Sequence, residues 1–139
     1  MKHLTLATPQ QDALHLYASA GRVTLEQLPG AIAAQIAALP RTHLLAWSAA
    51  DARSVGFSQN GLSLVLPFPL LSAGIGIMHR AKGSGFISLF VETAAEGVIN
   101  VLGSDSFQQA ALDGLLAQQA ALGELLGCTL GVEDWGYDC

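Results

Sequence analysis

Four histidines, two cysteines and a scatter of carboxylates are the residues of this 139-residue chain that could do chemistry. His3, His15, His43 and His79 show no pair at metal-ligand spacing, and none belongs to an HExxH motif. They read as surface or half-buried side chains, and any metal site would have to be assembled from distant residues by the fold. Cys128 becomes a nucleophile only if a histidine meets it in space. Its apolar setting after Gly127 points instead to a buried structural thiol, and Cys139 to a bystander. No serine sits in a GxSxG elbow. Glu92 and Glu96 could pair for acid–base work, but with Gly97 beside them they suit a turn better.

Two glycine pairs, Gly74-Ile75-Gly76 and Gly83-Ser84-Gly85, lack the spacing of a phosphate loop or a dinucleotide fingerprint. The stretch His79 to Gly85 is the one basic cluster; it suits an anion, an acidic partner or a solvated hairpin tip. The tail Glu133-Asp134-Trp135-Gly136-Tyr137-Asp138 gathers three acids and two aromatics; Trp and Tyr are the residues that anchor interfaces, and the other reading folds Trp135 back onto the core. The candidate contact residues are therefore Trp135 and Tyr137, with Arg80 and Lys82 on the basic hairpin. No residue set calls for catalysis, and no cofactor or metal is expected.

Composition points the same way. Only 12% of the residues are charged, about half the usual share, which fits either a surface covered by a protein partner, a homo-oligomer among the possibilities, or an Ala- and Leu-rich sequence bias. All six Lys and Arg lie at or before Lys82, while residues 83–139 hold eight of the eleven Asp and Glu. An acidic chain with no basic stripe argues against nucleic acid and against an anionic membrane surface. The run Leu62–Met78 is too broken by Pro67, Pro69, Gly74 and Gly76 to cross a membrane, and the start lacks the apolar core of a signal peptide. Two cysteines without a CxxC fit a cytoplasmic protein with reduced thiols.

The elements that must position these groups follow from periodicity. The clearest is Asp105–Gly127, where Phe107, Ala111, Leu115, Leu122 and Leu125 form a helical stripe that Leu112, Leu116 and Leu126 widen. Ser106 and Gln109 offer a capping box and Gly127 a stop, while Gly114 and Gly123 each cost about 1 kcal/mol inside a helix. Thr8-Pro9-Gln10-Gln11 starts a helix running to about Ala20, and Ala31–Leu39 is a short apolar one. Arg22–Leu28 is ambiguous. Between them and the closing helix lie strand candidates: Thr42 onward, a hairpin about Asn60-Gly61, Ser72–Arg80, Phe86–Glu92 with two apolar faces suited to a central position, and Val98–Leu102, a further strand or a short helix. The expectation is one α+β domain over residues 1–139: N-terminal helices, an antiparallel sheet of four to six strands, and a long C-terminal helix packed on it. The tail resumes a strand-like run at Cys128–Val132.

From Phe86 the order is an alternating strand, a stretch ending VINVLGS, and an amphipathic helix ending LLGCTLGVEDW; the start, MKHLTLATPQQDALHLYASA, offers a leader and a first helix. This pattern resembles the amino-terminal half of the cytoplasmic-ring, or sorting-platform, protein of bacterial type III secretion systems. The resemblance implies a non-enzymatic assembly component that docks to ring, base and stalk proteins, cytoplasmic or peripheral at the inner membrane through that complex. The family's larger member carries β-rich modules after this region, so a split-gene product or a domain of a longer protein is expected. Two rival readings stand beside it. One is a type III secretion chaperone wrapping an extended effector segment on apolar patches. The other is a small enzyme or ligand-binding domain with a pocket between sheet and helix.

Overall fold

The structure, a computed structural model, describes residues 2–7, 14–16, 22–23, 30–38, 43–49, 53–59, 62–67, 70–95 and 97–137. It is mostly β, with two five-stranded sheets and three short helices among those residues. The first sheet holds β1 (Lys2–Ala7), β4 (His43–Ala49), β5 (Ser54–Gln59), β6 (Leu62–Pro67) and β3 (Arg22–Val23), in that spatial order and antiparallel throughout. The second runs β10 (Leu130–Tyr137), β7 (Ser72–His79), β8 (Phe86–Thr93), β9 (Gly97–Gly103) and β2 (His15–Leu16). Its pairs are antiparallel except β10, which joins β7 in parallel.

The core lies between the sheets because their strands alternate. Leu44 and Ala46, Val55 and Phe57, and Leu64 and Leu66 from the first sheet join one buried cluster. Ala73, Ile75 and Ile77, then Ile87, Leu89 and Val91, reach it from the second. The cluster is closed by α2 (Gln109–Ala117) and α3 (Gln119–Leu126), through Ala111, Leu112, Leu115, Leu122, Leu125 and Leu126. The odd-numbered residues of β4 face the other way. Leu45, Trp47 and Ala49 pack under Ile32 and Ile36 of α1 (Gly30–Ala38), which covers the outer face of the first sheet. There Trp47 lies over Gly56, its cross-strand partner, where a Cβ would stand 2.2 Å from the indole. The indole Nε1 donates to Ser58 Oγ at 3.1 Å, and Ser58 bonds Ser63 at 2.6 Å, so the polar atoms of these three buried side chains are satisfied.

The expected α+β architecture with a long closing helix does not hold. The stretch Asp105–Gly127 is two helices broken at Gln118, whose φ of −106° and ψ of 7° leave the helical region. Gln118 N–H turns back to Leu115 O, ending α2, and both glutamines at the break serve the sheets: Gln118 Nε2 donates to Thr5 O, and Gln119 Nε2 to Leu130 O. The stripe runs unbroken through the joint, so hydrophobic spacing gives no sign of it. The proposed cap also differs: α2 starts at Gln109, and Gln108 before it makes no side-chain cap bond. Gly127 does end α3, with a left-handed φ of 77°. Gly123 permits close approach, since a Cβ there would lie 2.9 Å from Cys128 O. The helix does not close the chain either, because β10 follows it.

At the other end, Lys2–Ala7 is a strand paired with β4; Leu6 is buried and Leu4 packs against the core. The helix expected over 8–20 fails at residues 15–16, which pair with Gly103 and Leu102. Its other residues, 8–13 and 17–20, lie outside the described ones, as does the Asn60-Gly61 turn between the paired ends of β5 and β6. Leu14 is buried, and Gln59 clamps this short segment by donating to Leu14 O and accepting from Leu16 N–H. A two-residue strand held by a distant side chain has no periodicity to read.

Candidate functional site

The outer face of the second sheet carries the most distinctive surface of the molecule. Inward Ala73, Ile75 and Ile77 put Gly74, Gly76 and Met78 outward on β7, and the same alternation puts Phe86, Ser88, Phe90 and Glu92 outward on β8. Phe90 stands opposite Gly74 and lies over it, 2.5 Å from where a Cβ would be. The next glycine, Gly76, is covered by Trp135 of β10, with 2.1 Å from the Cβ position to the indole. The three rings make one cluster: Trp135 stacks on Phe90 at 5.8 Å between centroids and meets Phe86 at 5.9 Å, tilted. A ring above a strand glycine fills the space a side chain would have taken.

A local irregularity of β10 aims Trp135 onto this floor. The parallel register shifts between Asp134 and Tyr137, and Gly136 takes a φ of +86°, which favours glycine. Asp134 fixes the kink with both oxygens: Gly136 N–H donates to Oδ1 at 2.8 Å, and His79 Nε2 donates to Oδ2 at 3.1 Å. A carboxylate only accepts, so the Nε2 tautomer carries the proton. The Gly136 N–H, and then the His79 hydrogen bond, hold the Asp134 carboxyl below its ordinary value. The indole Nε1 donates to Glu133 Oε2 at 3.0 Å.

The four contact residues expected from the sequence separate into distinct roles. Trp135, 41% exposed, belongs to the aromatic platform. Tyr137, 68% exposed, sits on the His79 ring at 5.3 Å, and the other neighbour of that ring is Phe107 at 5.1 Å. Arg80 is exposed, and its Nε and an Nη both donate to Phe107 O at 3.1 and 3.0 Å, anchoring the entry to α2. Lys82 stands exposed in the turn between β7 and β8. The sequence pattern missed Phe86 and Phe90 as parts of the site. Their signal was the Gly-Ile-Gly alternation of β7, which lies in a strand and not in a loop.

The remaining candidates are scattered. His15 meets Asp105 at 3.4 Å, Glu92 accepts from Ser72 Oγ at 3.1 Å, and His43 is half-buried at the head of β4. Glu96, Asp138 and Cys139 lie outside the described residues. Cys128 is half-buried, not fully so, and burial pushes its thiol up, which keeps it protonated and weakly nucleophilic. It lines an open groove of about 660 Å³ beside α3. A second groove, about 420 Å³, is bordered by Asn100 and by Ser84, Ser88 and Ser104, whose hydroxyls donate to Asp105 O, Asn100 Oδ1 and Ser106 O in turn. Of His15, His43, His79, Cys128 and Glu92, Cys128 is the one that lines either groove. Among the described residues no three of His, Cys, Asp and Glu gather in a metal-holding group, and no helix is long and apolar enough to cross a membrane.

No family model, no curated protein and no solved structure matches this chain.

Proposed function

We propose that this chain is a non-enzymatic protein-interaction module that docks through the aromatic outer face of its second sheet. One observation carries the reading. The outer face of the first sheet is covered by α1, whereas Trp135, Phe86 and Phe90 on the second lie under no helix among the described residues. Trp held on a rigid sheet offers a large contact area at little entropic cost, which is how interface anchors work. The low charge content supports the same reading. The partner class we propose is the one the sequence pattern implies: ring, stalk or base proteins of a type III secretion apparatus, with the module cytoplasmic or peripheral at the inner membrane.

The test is a pull-down from a type III secretion host with the natural chain and with Trp135→Ala. Recovery of ring and stalk proteins that the substitution abolishes supports the scaffold reading. Recovery of an effector assigns the chain to the chaperone class instead. Equal recovery by both chains removes the aromatic face from the contact.

A further inference from the structure

We infer that β10 is an acceptor edge: an extended, base-bearing segment of another protein adds to the second sheet as a further strand and lays a Lys or Arg side chain against Glu133 and the Phe90–Trp135 rings. The inference rests on the reading of this face as a docking surface and names the chemistry of what docks there.

The edge itself comes first. β10 ends the spatial order of its sheet, so among the described residues its ladder is with β7 alone. Natural edges are usually blunted by charged side chains, Lys above all, by Pro or by a bulge that breaks the ladder. β10 has neither Lys nor Pro; its charged side chains are the acids Glu133 and Asp134, and its bulge falls only after Asp134. Residues 131–134 are exposed ahead of it, Val132 to 44%. An incoming strand finds main-chain donors and acceptors there, as in other cases of strand addition.

Charge then selects the occupant. Two copies joined edge to edge would set the Glu133 and Asp134 carboxylates of one against those of the other, and like charges opposed across a ladder destabilise it. A second copy is thereby disfavoured, and a basic segment favoured. The chain supplies no Lys or Arg after Lys82, and Glu133 receives its hydrogen bond from Trp135, a neutral donor. Its negative charge is therefore uncompensated by its own strand.

The floor beside the edge fits a long cationic side chain. On the outer face Gly131 lies level with Gly74, and Glu133 with Gly76. A Cβ built at Gly131 would meet nothing within 4 Å, so the row from the edge to Phe90 is bare. An added strand lies about 5 Å beyond β10. The aliphatic stem of Arg or Lys can cross Gly131 from there, placing its head between the Glu133 carboxylate and the aromatic faces.

The experiment is a titration followed by backbone NMR shifts of β10 and by tryptophan emission. The probe is a short synthetic peptide alternating valine with arginine. Two controls accompany it, one with glutamate for arginine and one with a central proline. The expected result is binding of the arginine peptide alone, with shifts running along β10. Glu133→Gln keeps the acceptor for the Trp135 indole and removes only the charge; it should weaken binding roughly fivefold. Trp135→Ala should weaken it roughly tenfold or more. Equal binding of the glutamate or proline peptide, no binding of the arginine peptide, or an unchanged affinity in Glu133→Gln overturns the inference. If the glutamate peptide binds instead and loses its site in Trp135→Ala, the docking face stands and only its charge preference falls. If the pull-down is indifferent to Trp135→Ala, the face itself falls.

Discussion

Glycines beneath aromatic rings shape both outer faces, and the two cases differ in what lies above. Trp47 over Gly56 is buried under α1 and hydrogen-bonded to Ser58. A methyl at residue 56 has nowhere to go, so Gly56→Ala should destabilise the fold by about 1–3 kcal/mol, seen as a lower denaturant midpoint. Trp135 over Gly76 has solvent to move into, so Gly76→Ala should change stability by no more than about 0.5 kcal/mol while shifting tryptophan emission to the red. Acid should release the same ring by another route. The folded carboxyl of Asp134 titrates below its unfolded value of 3.8, so its stabilisation is complete above that pH and is lost as the pH falls through the lower, folded value. An acid titration of Trp135 emission should show this step, and Asp134→Asn should lack it. Of these groups, Trp135 and Tyr137 stood out in the sequence by residue type alone. The glycines beneath the rings did not, because cross-strand register decides what a strand glycine faces.

At the level of elements, the strands with clean alternation were legible: β4, β5 with β6 about their hairpin, and β8, whose two apolar faces place it between β7 and β9. The misread elements are those whose state is set by distant partners. β1 owes its conformation to β4, and β2 to β9 and to the amide of Gln59. The joint between α2 and α3 is likewise held from outside, by Gln118 on Thr5 O and Gln119 on Leu130 O. The Gln119 bond is the part-buried one and ties α3 to the first residue of β10. Gln119→Ala should therefore cost about 1 kcal/mol in thermal or denaturant unfolding. It should also speed amide exchange at the start of β10, and exchange there at the natural rate would show that α3 does not secure the strand.

Across the whole molecule, the feature with the widest reach is the parallel seam between β10 and β7. Antiparallel neighbours such as β7 with β8 can zip up from a nearby turn, but this seam must wait until β8, β9 and both closing helices are spanned. Bringing together partners so far apart in the chain is slow for entropic reasons. In stopped-flow refolding, the emission change of Trp47 should precede that of Trp135, read separately in chains that keep one tryptophan each. During the lag the glycine-rich flank of β7 stands open to any passing strand. Loss to aggregation should therefore rise with protein concentration in that interval and fall once the slow phase is over.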